Sequence, residues 1–343
     1  MSPVPRVVGV IMAGGKGERL QPLTFTTRKP FLPVAGKACI GWSIESLRRG
    51  GVERIVVTTT YSDDELAPLR ENDYGVRLEY SREPAAKGTA GGVRFAYDAG
   101  MLDADVVVVM SADVVADVDV NALVEEHARR KAVATMALIE VEDPRPFGIV
   151  VLDGEGRITR FLEKPKDSEI FSHLVNAGIY VLSKEALEQV PANQKFDFSR
   201  DLFPKLLKGG RRLQGARIEG YWRDIGRPSD LLTANREMSR RVGTRIFGIA
   251  SFAPGAVVEE SIVYDGVRVE PGATIRRSLL LEGAHVAQGA TVEDSILGRL
   301  ASVGPSAQVR ESVLGEEALV KQGERLVGAK RPEPSAEAKA RGA

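Results

Sequence analysis

The sequence predicts two domains, an α/β domain built on a mixed, mostly parallel sheet and a C-terminal parallel β-helix. Three observations carry this prediction. Short valine-rich runs alternate with amphipathic stretches over residues 7–138, a repeat of 17 residues fills the last third, and 343 residues exceed what one hydrophobic core usually organises. We expect the α/β domain over residues 1–240, the β-helix over residues 245–328 and a disordered tail over residues 329–343.

Composition and charge exclude several classes of protein. Apolar residues make up 43% of the chain and charged residues 27%, which are the proportions of a globular protein. The 47 basic side chains balance the 47 acidic ones, so we expect neither nucleic acid nor a membrane as a partner. The single cysteine, Cys39, excludes an internal disulfide, and the apolar run Val7–Ala13 is too short to cross a membrane. These features predict a cytoplasmic protein.

Strands and helices alternate through the first part of the chain. The expected strands are Val7–Met12, Arg54–Thr60, Val76–Tyr80 and Asp105–Met110, and the expected helices are Ile40–Arg49, Asp63–Glu71, Thr89–Ala99 and Val120–Lys131. Four consecutive valines, residues 106–109, are typical of a strand that is buried on both faces. The alternation predicts a Rossmann-like arrangement, in which helices cover both faces of the sheet.

The pattern changes after Ala132, where strand-like runs follow one another without long helices. These runs are Val133–Glu140, Gly148–Leu152, Arg157–Phe161 and Val175–Leu182. Short helices are expected at Lys184–Gln189 and Arg200–Leu207, and a polar connecting helix at Pro228–Arg240. We therefore expect an extension of the same sheet that covers the functional site.

The 17-residue repeat is the clearest internal signal. Its members begin at Gly255, Gly272, Gly289 and Ser306. The aligned rows are Ser261, Ser278, Ser295 and Ser312; Val263, Leu280, Leu297 and Leu314; and Val269, Val286 and Val303. No α-helix has this period, whereas a coil of three short strands points one apolar anchor inward from each strand. The repeat resembles a left-handed parallel β-helix of hexapeptide repeats, and we expect a homo-oligomer that forms through or beside it.

A glycine-rich loop follows the first strand. Gly14, Gly15 and Gly17 let backbone N–H groups approach phosphate oxygens closely, and Arg19 adds a guanidinium group suited to phosphate. The loop lacks the Lys-Ser/Thr ending of a Walker A motif, and its glycine spacing differs from the dinucleotide-binding fingerprint. The sequence thus predicts a phosphate-binding loop of another kind.

The segments around this loop resemble a known family. The run Met12–Leu20, followed by Pro22-Leu23-Thr24, Lys29-Pro30 and Pro33–Lys37, closely resembles the nucleoside-diphosphate-sugar pyrophosphorylases, which are sugar-1-phosphate nucleotidyltransferases. The resemblance implies that Arg19 and Lys29 hold the triphosphate. It also implies a nucleotide site that includes Ala13, Gly14, Gly15 and Gly17.

Further segments match this family in the same order along the chain. On the nucleotide side the resemblance implies Glu83, Gly88, Thr89 and Asp113, and on the sugar-phosphate side Gly148, Glu163, Lys164 and Asn176. Asp113 and Asp224 are implied as the carboxylate ligands of a Mg²⁺ cofactor. The segments 196–198, 201–204 and 220–226 look most like the mannose-1-phosphate guanylyltransferase branch, and the fold implied is the nucleotide-diphospho-sugar transferase type.

The resemblance implies transfer of a nucleotidyl group from a nucleoside triphosphate to a hexose-1-phosphate, with release of pyrophosphate. The expected pair is GTP with mannose-1-phosphate, giving GDP-mannose, and glucose-1-phosphate is the alternative sugar. Glu18 stands where the family usually has Thr, and Ala112 where it usually has Gly. These two departures favour a second alternative, a non-catalytic regulatory subunit. A third is acyl transfer by the β-helix through His285, although the repeat predicts that this side chain points outward.

Overall fold

The computed structural model of the chain describes residues 5–333, which form two compact units. The first unit holds residues 5–14 and Ile40–Trp222, and the second holds Gly15–Cys39 with residues 223–333. The structural division therefore differs from the expected boundary near residue 240. The segment after the first strand and the helix that follows residue 227 belong with the β-helix.

Asn235 shows why Gly15–Cys39 belongs to the second unit. Its side chain is buried, and its Oδ1 accepts hydrogen bonds from the Ala35 N–H at 3.0 Å and from the Tyr264 hydroxyl at 2.8 Å. Its Nδ2 donates to the Pro33 carbonyl at 2.9 Å. One amide thus joins the loop segment, its own helix and the β-helix. A buried amide that lost these partners would be costly, so the three parts stay together.

The secondary structure of the region up to residue 242 agrees closely with the expected order. The strands are β1 (Val7–Ala13), β2 (Pro33–Val34), β3 (Lys37–Ala38), β4 (Arg54–Thr59), β5 (Arg77–Arg82), β6 (Val106–Ser111), β7 (Val114–Asp117), β8 (Ala134–Glu140), β9 (Gly148–Leu152), β10 (Ile158–Glu163), β11 (Leu174–Ser183), β12 (Leu213–Arg217) and β13 (Tyr221–Asp224). The helices are α1 (Cys39–Arg49), α2 (Ala67–Arg70), α3 (Gly88–Asp98), α4 (Val120–Arg130), α5 (Lys184–Glu188), α6 (Phe203–Lys208) and α7 (Pro228–Val242). Short 3₁₀ turns occur at Glu18–Leu20, Leu23–Phe25, Lys29–Phe31 and Asp167–Glu169, and a π-helical turn at Phe198–Leu202.

The first unit is built on a mixed nine-stranded sheet. Its main order is β10-β9-β11-β6-β1-β4-β5, and β8 and β12 continue it beside β11. The strands β6, β1, β4 and β5 are mutually parallel, while β11 runs antiparallel to β6. Val107, Val108 and Val109 of β6 are buried in the core of this unit, as the unbroken valine run predicted, and Val106 is half-buried. The predicted α/β fold class is confirmed.

Strands β2, β3, β7 and β13 were not predicted, and three further elements differ from expectation. The helix expected over Asp63–Glu71 is reduced to α2, because Pro68 stands in its first turn and the preceding residues form turns. The helix expected over Arg200–Leu207 begins as the π-helical turn. Strand β12 was not predicted, since Gly215 lies at its centre; a Cβ there would come within 2.5 Å of Leu138 Cδ1.

The β-helix consists of three ladders of short parallel strands, consistent with the left-handed form that the repeat predicts. Its strands are β14 (Ile246–Phe247), β15 (Ser251–Phe252), β16 (Val257–Glu259), β17 (Ile262–Tyr264), β18 (Arg268–Val269), β19 (Thr274–Arg276), β20 (Leu279–Leu280), β21 (His285–Val286), β22 (Thr291–Glu293), β23 (Ile296–Leu297), β24 (Ser302–Val303), β25 (Gln308–Arg310), β26 (Val313–Leu314), β27 (Leu319–Val320), β28 (Arg325–Val327) and β29 (Lys330–Arg331). Each strand pairs with the strand one repeat later, so that Val269, Val286 and Val303 stack in register. The predicted apolar columns are buried.

The serine row has a structural role that its period alone did not reveal. The backbone N–H groups of Ser278, Ser295 and Ser312 each donate, at 3.1 Å, to the hydroxyl oxygen of the serine one coil earlier. The Ala329 N–H donates to Ser312 in the same way at 3.0 Å. The buried backbone N–H groups at these corners of the coil therefore have hydrogen-bond partners without water.

The C-terminal end of the β-helix lies further along the chain than expected. Strand β29 pairs with β26 and extends the coil beyond the predicted end at residue 328, so the start of the tail at residue 329 is corrected. The rest of the expected tail, residues 334–343, lies outside the described residues. Between residues 5 and 333, no helix has the length and apolarity needed to cross a bilayer.

Candidate active site

The nucleotide-side residues of the first unit lie at the carboxyl ends of the parallel strands. Ala13 ends β1, and Asp113 follows β6, its neighbour in the sheet. The Ala112 N–H donates to the Met12 carbonyl at 3.1 Å, and the Thr59 hydroxyl donates to the Ala13 carbonyl at 2.7 Å. This edge is where open α/β sheets bind ligands.

Glu83 follows the edge strand β5 and is turned inward. Its Oε2 accepts a hydrogen bond from the Lys87 N–H at 2.9 Å, and a Cβ at Gly92 would lie 2.5 Å from its Oε1. Burial raises the pKa of Glu83, while the bond from Lys87 and the Lys87 charge oppose that rise. Glu83 therefore shapes the loop that leads to Gly88.

Gly88 begins α3 in the left-handed region with φ of 78°. A Cβ at this position would come within 2.6 Å of the Phe196 carbonyl oxygen, so only glycine fits. The next residue, Thr89, donates from its hydroxyl to Asp197 Oδ2 at 2.8 Å. The predicted nucleotide-side residues 88 and 89 are thereby joined to the segment that begins at Phe196.

The predicted sugar-side residues come together on neighbouring strands. Gly148 pairs with Glu163 across β9 and β10, and a Cβ at Gly148 would lie 2.8 Å from Glu163 Oε2. Asn176 is buried on β11. Lys164 is exposed and holds a left-handed conformation with φ of 51°, while its N–H donates to the Phe147 carbonyl at 2.9 Å. A non-glycine residue in this region is strained by about 1–2 kcal/mol, which is typical of functional sites.

Burial dominates the electrostatics of Glu163 and raises the pKa of its carboxyl group. The charges of Lys164 and Arg200 and a hydrogen bond from Ser199 lower it, whereas the nearby carboxylate of Asp197 raises it further. Glu163 is thus a poorly solvated acceptor of hydrogen bonds, which suits a site that binds sugar hydroxyl groups.

The second unit contains the glycine loop from Gly15 onward. Gly17 has φ of 68°, and a Cβ there would lie 3.0 Å from both Lys29 Cβ and Thr24 Cγ2. The Thr24 hydroxyl donates to the Gly17 carbonyl at 2.8 Å. These contacts hold the loop against Lys29, which is itself buried. By contrast, a Cβ at Gly15 would meet nothing within 4 Å, so the loop backbone is accessible there.

Arg19 and Asp224 both lie close to Gly226. A Cβ at Gly226 would lie 2.9 Å from Asp224 Oδ2 and 3.1 Å from Arg19 Nη2. The Gly226 N–H is held by Asp230 Oδ2 at 3.1 Å, at the start of α7. Two residues that the resemblance assigned to the triphosphate and to the metal are therefore neighbours within one unit.

Gly226→Ala is expected to lower kcat by about 10²-fold while leaving the thermal unfolding temperature unchanged. The added methyl displaces the ends of two flexible side chains, and misplacing reacting groups by about 1 Å is enough for such a loss. Steady-state pyrophosphate release and thermal unfolding of the variant check this. Gly154→Ala is the matched control, since a Cβ there meets nothing within 4 Å. Normal turnover in Gly226→Ala would contradict the prediction.

The chemistry of Asp113 and Asp224 fits a hard cation. Carboxylate oxygens are ligands that Mg²⁺ prefers, and this ion keeps several waters and takes further ligands from substrate phosphates. Within residues 5–333, no three His, Cys, Asp or Glu side chains form a metal site by themselves.

The two departures from the family pattern are both buried in the fold. Glu18 Oε1 lies 4.0 Å from Lys16 Nζ, so a cation accompanies its charge. Ala112 belongs to the core beneath the carboxyl edge of the sheet. His285, which carried the acyl-transfer alternative, lies on the outer surface of the β-helix with its Nε2 2.9 Å from Glu270 Oε1.

Two families of known proteins match the chain. The nucleotidyl transferase family matches residues 8–241, and the GMPPB C-terminal domain matches residues 246–331. A mannose-1-phosphate guanylyltransferase from Mycobacterium tuberculosis is 32% identical over 301 residues, 77% of this chain and 82% of the relative. A UTP–glucose-1-phosphate uridylyltransferase from Synechocystis is 32% identical over 275 residues, 76% of this chain and 69% of the relative. A mannose-1-phosphate guanyltransferase from Yarrowia lipolytica is 34% identical over 229 residues, which are 66% of this chain and 62% of the relative.

The chain belongs to the nucleotidyl transferase family, which covers more than half of its length. It is an enzyme of the sugar-1-phosphate nucleotidyltransferase class. The resemblance seen in the ordered motifs, from the glycine loop to the segment around Asp224, is confirmed at this level.

Several residues that shape the site were missed by sequence reasoning. Gly226 lies at the end of a predicted motif and Ser199 between two others. Each has a neighbour in space that is remote in sequence, Arg19 beside Gly226 and Asn176 beside Ser199. Trp222 Nε1 donates to the Ala177 carbonyl at 2.7 Å, and its ring packs edge-on against Phe147 with centroids 5.4 Å apart. No periodicity or spacing signals such contacts.

Proposed function

We propose that this enzyme transfers the guanylyl group of GTP to mannose-1-phosphate, forming GDP-mannose and pyrophosphate. The observation that carries the proposal is that the M. tuberculosis relative, named for this activity, matches 77% of the chain. Glucose-1-phosphate with UTP is the second candidate, because the Synechocystis relative named for that pair matches nearly the same share, 76%.

The reaction joins two anions, so we propose that positioning and charge balance supply the catalysis. An oxygen of the sugar phosphate attacks the α-phosphorus, and the bond from that phosphorus to the β-phosphate oxygen breaks. In this proposal Arg19 and Lys29 balance the charge of the departing pyrophosphate, and Lys164 holds the sugar phosphate. No side chain has to remove a proton, because the attacking oxygen is already ionised.

The remaining candidate residues orient the two substrates. We propose that the backbone of Ala13, Gly14, Gly15 and Gly17 faces the nucleotide phosphates, and that Glu83, Gly88 and Thr89 form the side for the base and ribose. Glu163 and Asn176 would accept hydrogen bonds from sugar hydroxyl groups. Gly148 would leave room beside Glu163 for the sugar ring, since the absence of a side chain there keeps the carboxylate accessible.

We propose Mg²⁺ as the cofactor, with Asp113 and Asp224 as its protein ligands. When bound, the ion would neutralise phosphate oxygens and thereby ease the approach of the two anions. The position of Asp113 at the carboxyl edge of the sheet supports this assignment for Asp113, and the position of the Asp224 carboxylate beside Gly226, where Arg19 also lies, supports it for Asp224.

A grid of nucleoside triphosphates and hexose-1-phosphates, assayed for pyrophosphate release with Mg²⁺, tests the proposal. We expect pyrophosphate to be released only when GTP and mannose-1-phosphate are both present. We also expect this release to be lost when EDTA is added. If only the pair UTP and glucose-1-phosphate releases pyrophosphate, the second candidate reaction is the correct one. No release from any pair, with tight nucleotide binding by calorimetry, would overturn the catalytic proposal in favour of a regulatory subunit.

We also propose that the β-helix pairs with a second copy of the chain through its first coil, and that the enzyme is cytoplasmic. Strands β14, β15 and β16 begin the three ladders, and no strand among residues 5–333 pairs with their outer edges. Ile249 and Phe252 on this coil are 84% and 40% exposed. Terminal coils of solenoids need a cover for such edges.

Phe252→Asp is expected to shift the enzyme from a dimer or larger assembly to a monomer in light scattering, because a carboxylate would be buried at the contact. Leu319→Asp is the matched control, since Leu319 is exposed on a later coil. A monomeric wild-type protein would overturn this part of the proposal.

A further inference from the structure

Two serines of α1 lie on one buried face of that helix, within the first unit. Ser43 and Ser46 are fully buried, and their spacing of three residues places them on the same side of the helix. A buried hydroxyl group costs free energy unless it makes a hydrogen bond, so apolar residues are the ordinary choice at such positions. Departures of this kind from the apolar pattern are expected near functional sites, where a side chain has a task besides packing.

Ser43 bonds to the two residues that flank Ala112 and Asp113. Its hydroxyl group donates to the Val114 carbonyl at 3.1 Å and, more weakly, to the Ser111 carbonyl at 3.4 Å. Serine has one hydroxyl proton, which these two acceptors therefore share. A serine inside a helix can donate to a carbonyl of its own helix, whereas Ser43 joins α1 to the turn between β6 and β7. One side chain thus contacts the turn on both sides of Asp113.

The two ends of this turn are held in different ways. At its start, the Ala112 N–H donates to the Met12 carbonyl of β1 at 3.1 Å, so the main sheet fixes the backbone there. At its end the chain enters β7, which lies outside the nine-stranded sheet. The bond from Ser43 to Val114 therefore ties the end of the turn to α1, as the main sheet ties its start. With both ends held, the backbone of Asp113 has a defined position.

We propose that Ser43 is a positioning residue for Asp113, whose carboxylate it holds in place for the cation by bonding to the two carbonyls that flank the turn. The inference rests on the proposed function, in which Asp113 is a ligand of Mg²⁺. This ion requires near-ideal octahedral geometry at short ligand distances, so a small shift of a protein ligand weakens its binding. Residues that orient metal ligands without touching the metal contribute about 10–100-fold to affinity or activity.

Ser43→Ala is expected to weaken the binding of Mn²⁺ about tenfold, because the turn loses its tie to α1 while Asp113 itself is unchanged. Mn²⁺ takes the same oxygen ligands as Mg²⁺. Electron paramagnetic resonance counts the free Mn²⁺ directly, so the measurement needs neither nucleotide nor turnover. The Mg²⁺ concentration that gives half-maximal pyrophosphate release should rise by a similar factor in the same variant.

Ser46→Ala is the matched control. It removes the same hydroxyl group from an equally buried position of the same helix, but the acceptor of that group, the Ala116 carbonyl at 2.8 Å, lies three residues beyond Asp113. Each substitution leaves a buried carbonyl without this donor, so both should lower the midpoint of thermal unfolding by similar amounts. Only Ser43→Ala should lose affinity for Mn²⁺. Equal losses of Mn²⁺ affinity in the two variants would reveal a general effect of α1 and overturn the positioning role.

Asp113→Asn, which should abolish the same Mn²⁺ binding, separates the two possible failures. A wild-type protein that binds Mn²⁺ through Asp113 but releases no pyrophosphate from any substrate pair would overturn the proposed reaction, and a tenfold loss of affinity in Ser43→Ala would still support the positioning role. Wild-type affinity for Mn²⁺ in a folded Ser43→Ala variant would overturn that role. Wild-type protein that binds no Mn²⁺, or whose binding is unchanged by Asp113→Asn, would overturn it as well.

Discussion

Replacing Asp113 by asparagine is expected to lower kcat by about 10²–10³, the loss that follows removal of one preorganised charge-stabilising group. Asp113 lies two residues after β6, the strand that pairs in parallel with β1, and it therefore lies at the carboxyl edge of the sheet, where β1 also ends. Asparagine has the same shape but no charge, so the fold should persist while affinity for the cation falls. Pyrophosphate release at saturating substrates, repeated over a range of Mg²⁺ concentrations, measures both effects.

Asp103→Asn is the control for this experiment, because the Asp103 side chain is 79% exposed and makes only a surface ion pair with Arg6. It should behave as wild type at every Mg²⁺ concentration. The assignment of Asp113 would be wrong if its asparagine variant kept the wild-type kcat and the wild-type dependence on Mg²⁺.

Leu297→Ala is expected to destabilise the β-helix by about 2–5 kcal/mol, the range for removing a buried leucine from a core that cannot collapse. Leu297 is fully buried, and it stacks in register between Leu280 of the preceding coil and Leu314 of the following coil. The cavity would lie within a column whose neighbours are held by backbone ladders, so little relaxation is possible. Chemical denaturation followed by circular dichroism measures the loss.

The matched control is Leu300→Ala, three residues away, where the leucine is 46% exposed. Its effect should stay within about 0.5 kcal/mol, as for other surface substitutions. Because the protein has two compact units, which can unfold in separate transitions, the free energies of unfolding of the two variants are compared for the transition that unfolds the β-helix. Equal effects for the two variants would contradict the assignment of Leu297 to an inward column.

Periodic patterns made the fold predictable. The unbroken valines of β6 indicated a strand buried on both faces, and the columns through Val286 and Leu297 were expected from spacing alone. These predictions succeed because a period in sequence maps directly onto a repeated geometry. Strand β12 escaped prediction because a neighbouring side chain, Leu138, and not an intrinsic preference, is what requires Gly215.

The candidate site was predictable only in part, for the same reason. Ordered motifs identified Arg19 and Asp224, and the family match confirms the class of enzyme to which those motifs belong. The roles of individual side chains stay proposals. Gly226 and Ser199 shape the site through contacts with residues that are distant in sequence. No periodic pattern in the sequence marks these two positions, so they could not be predicted from it.

The hydrogen bond from Asn235 to the Pro33 carbonyl has a consequence for synthesis of the chain. The two residues are 202 positions apart, so at about 5–20 residues per second the segment that carries Arg19 and Lys29 waits about 10–40 s on the ribosome for its partner. This segment is therefore made early, while its hydrogen bonds to Asn235 can form only after most of the chain has been synthesised. A change to the β-helix around Tyr264 would therefore disturb Asn235 and, through it, the segment that contains the residues proposed to bind the triphosphate.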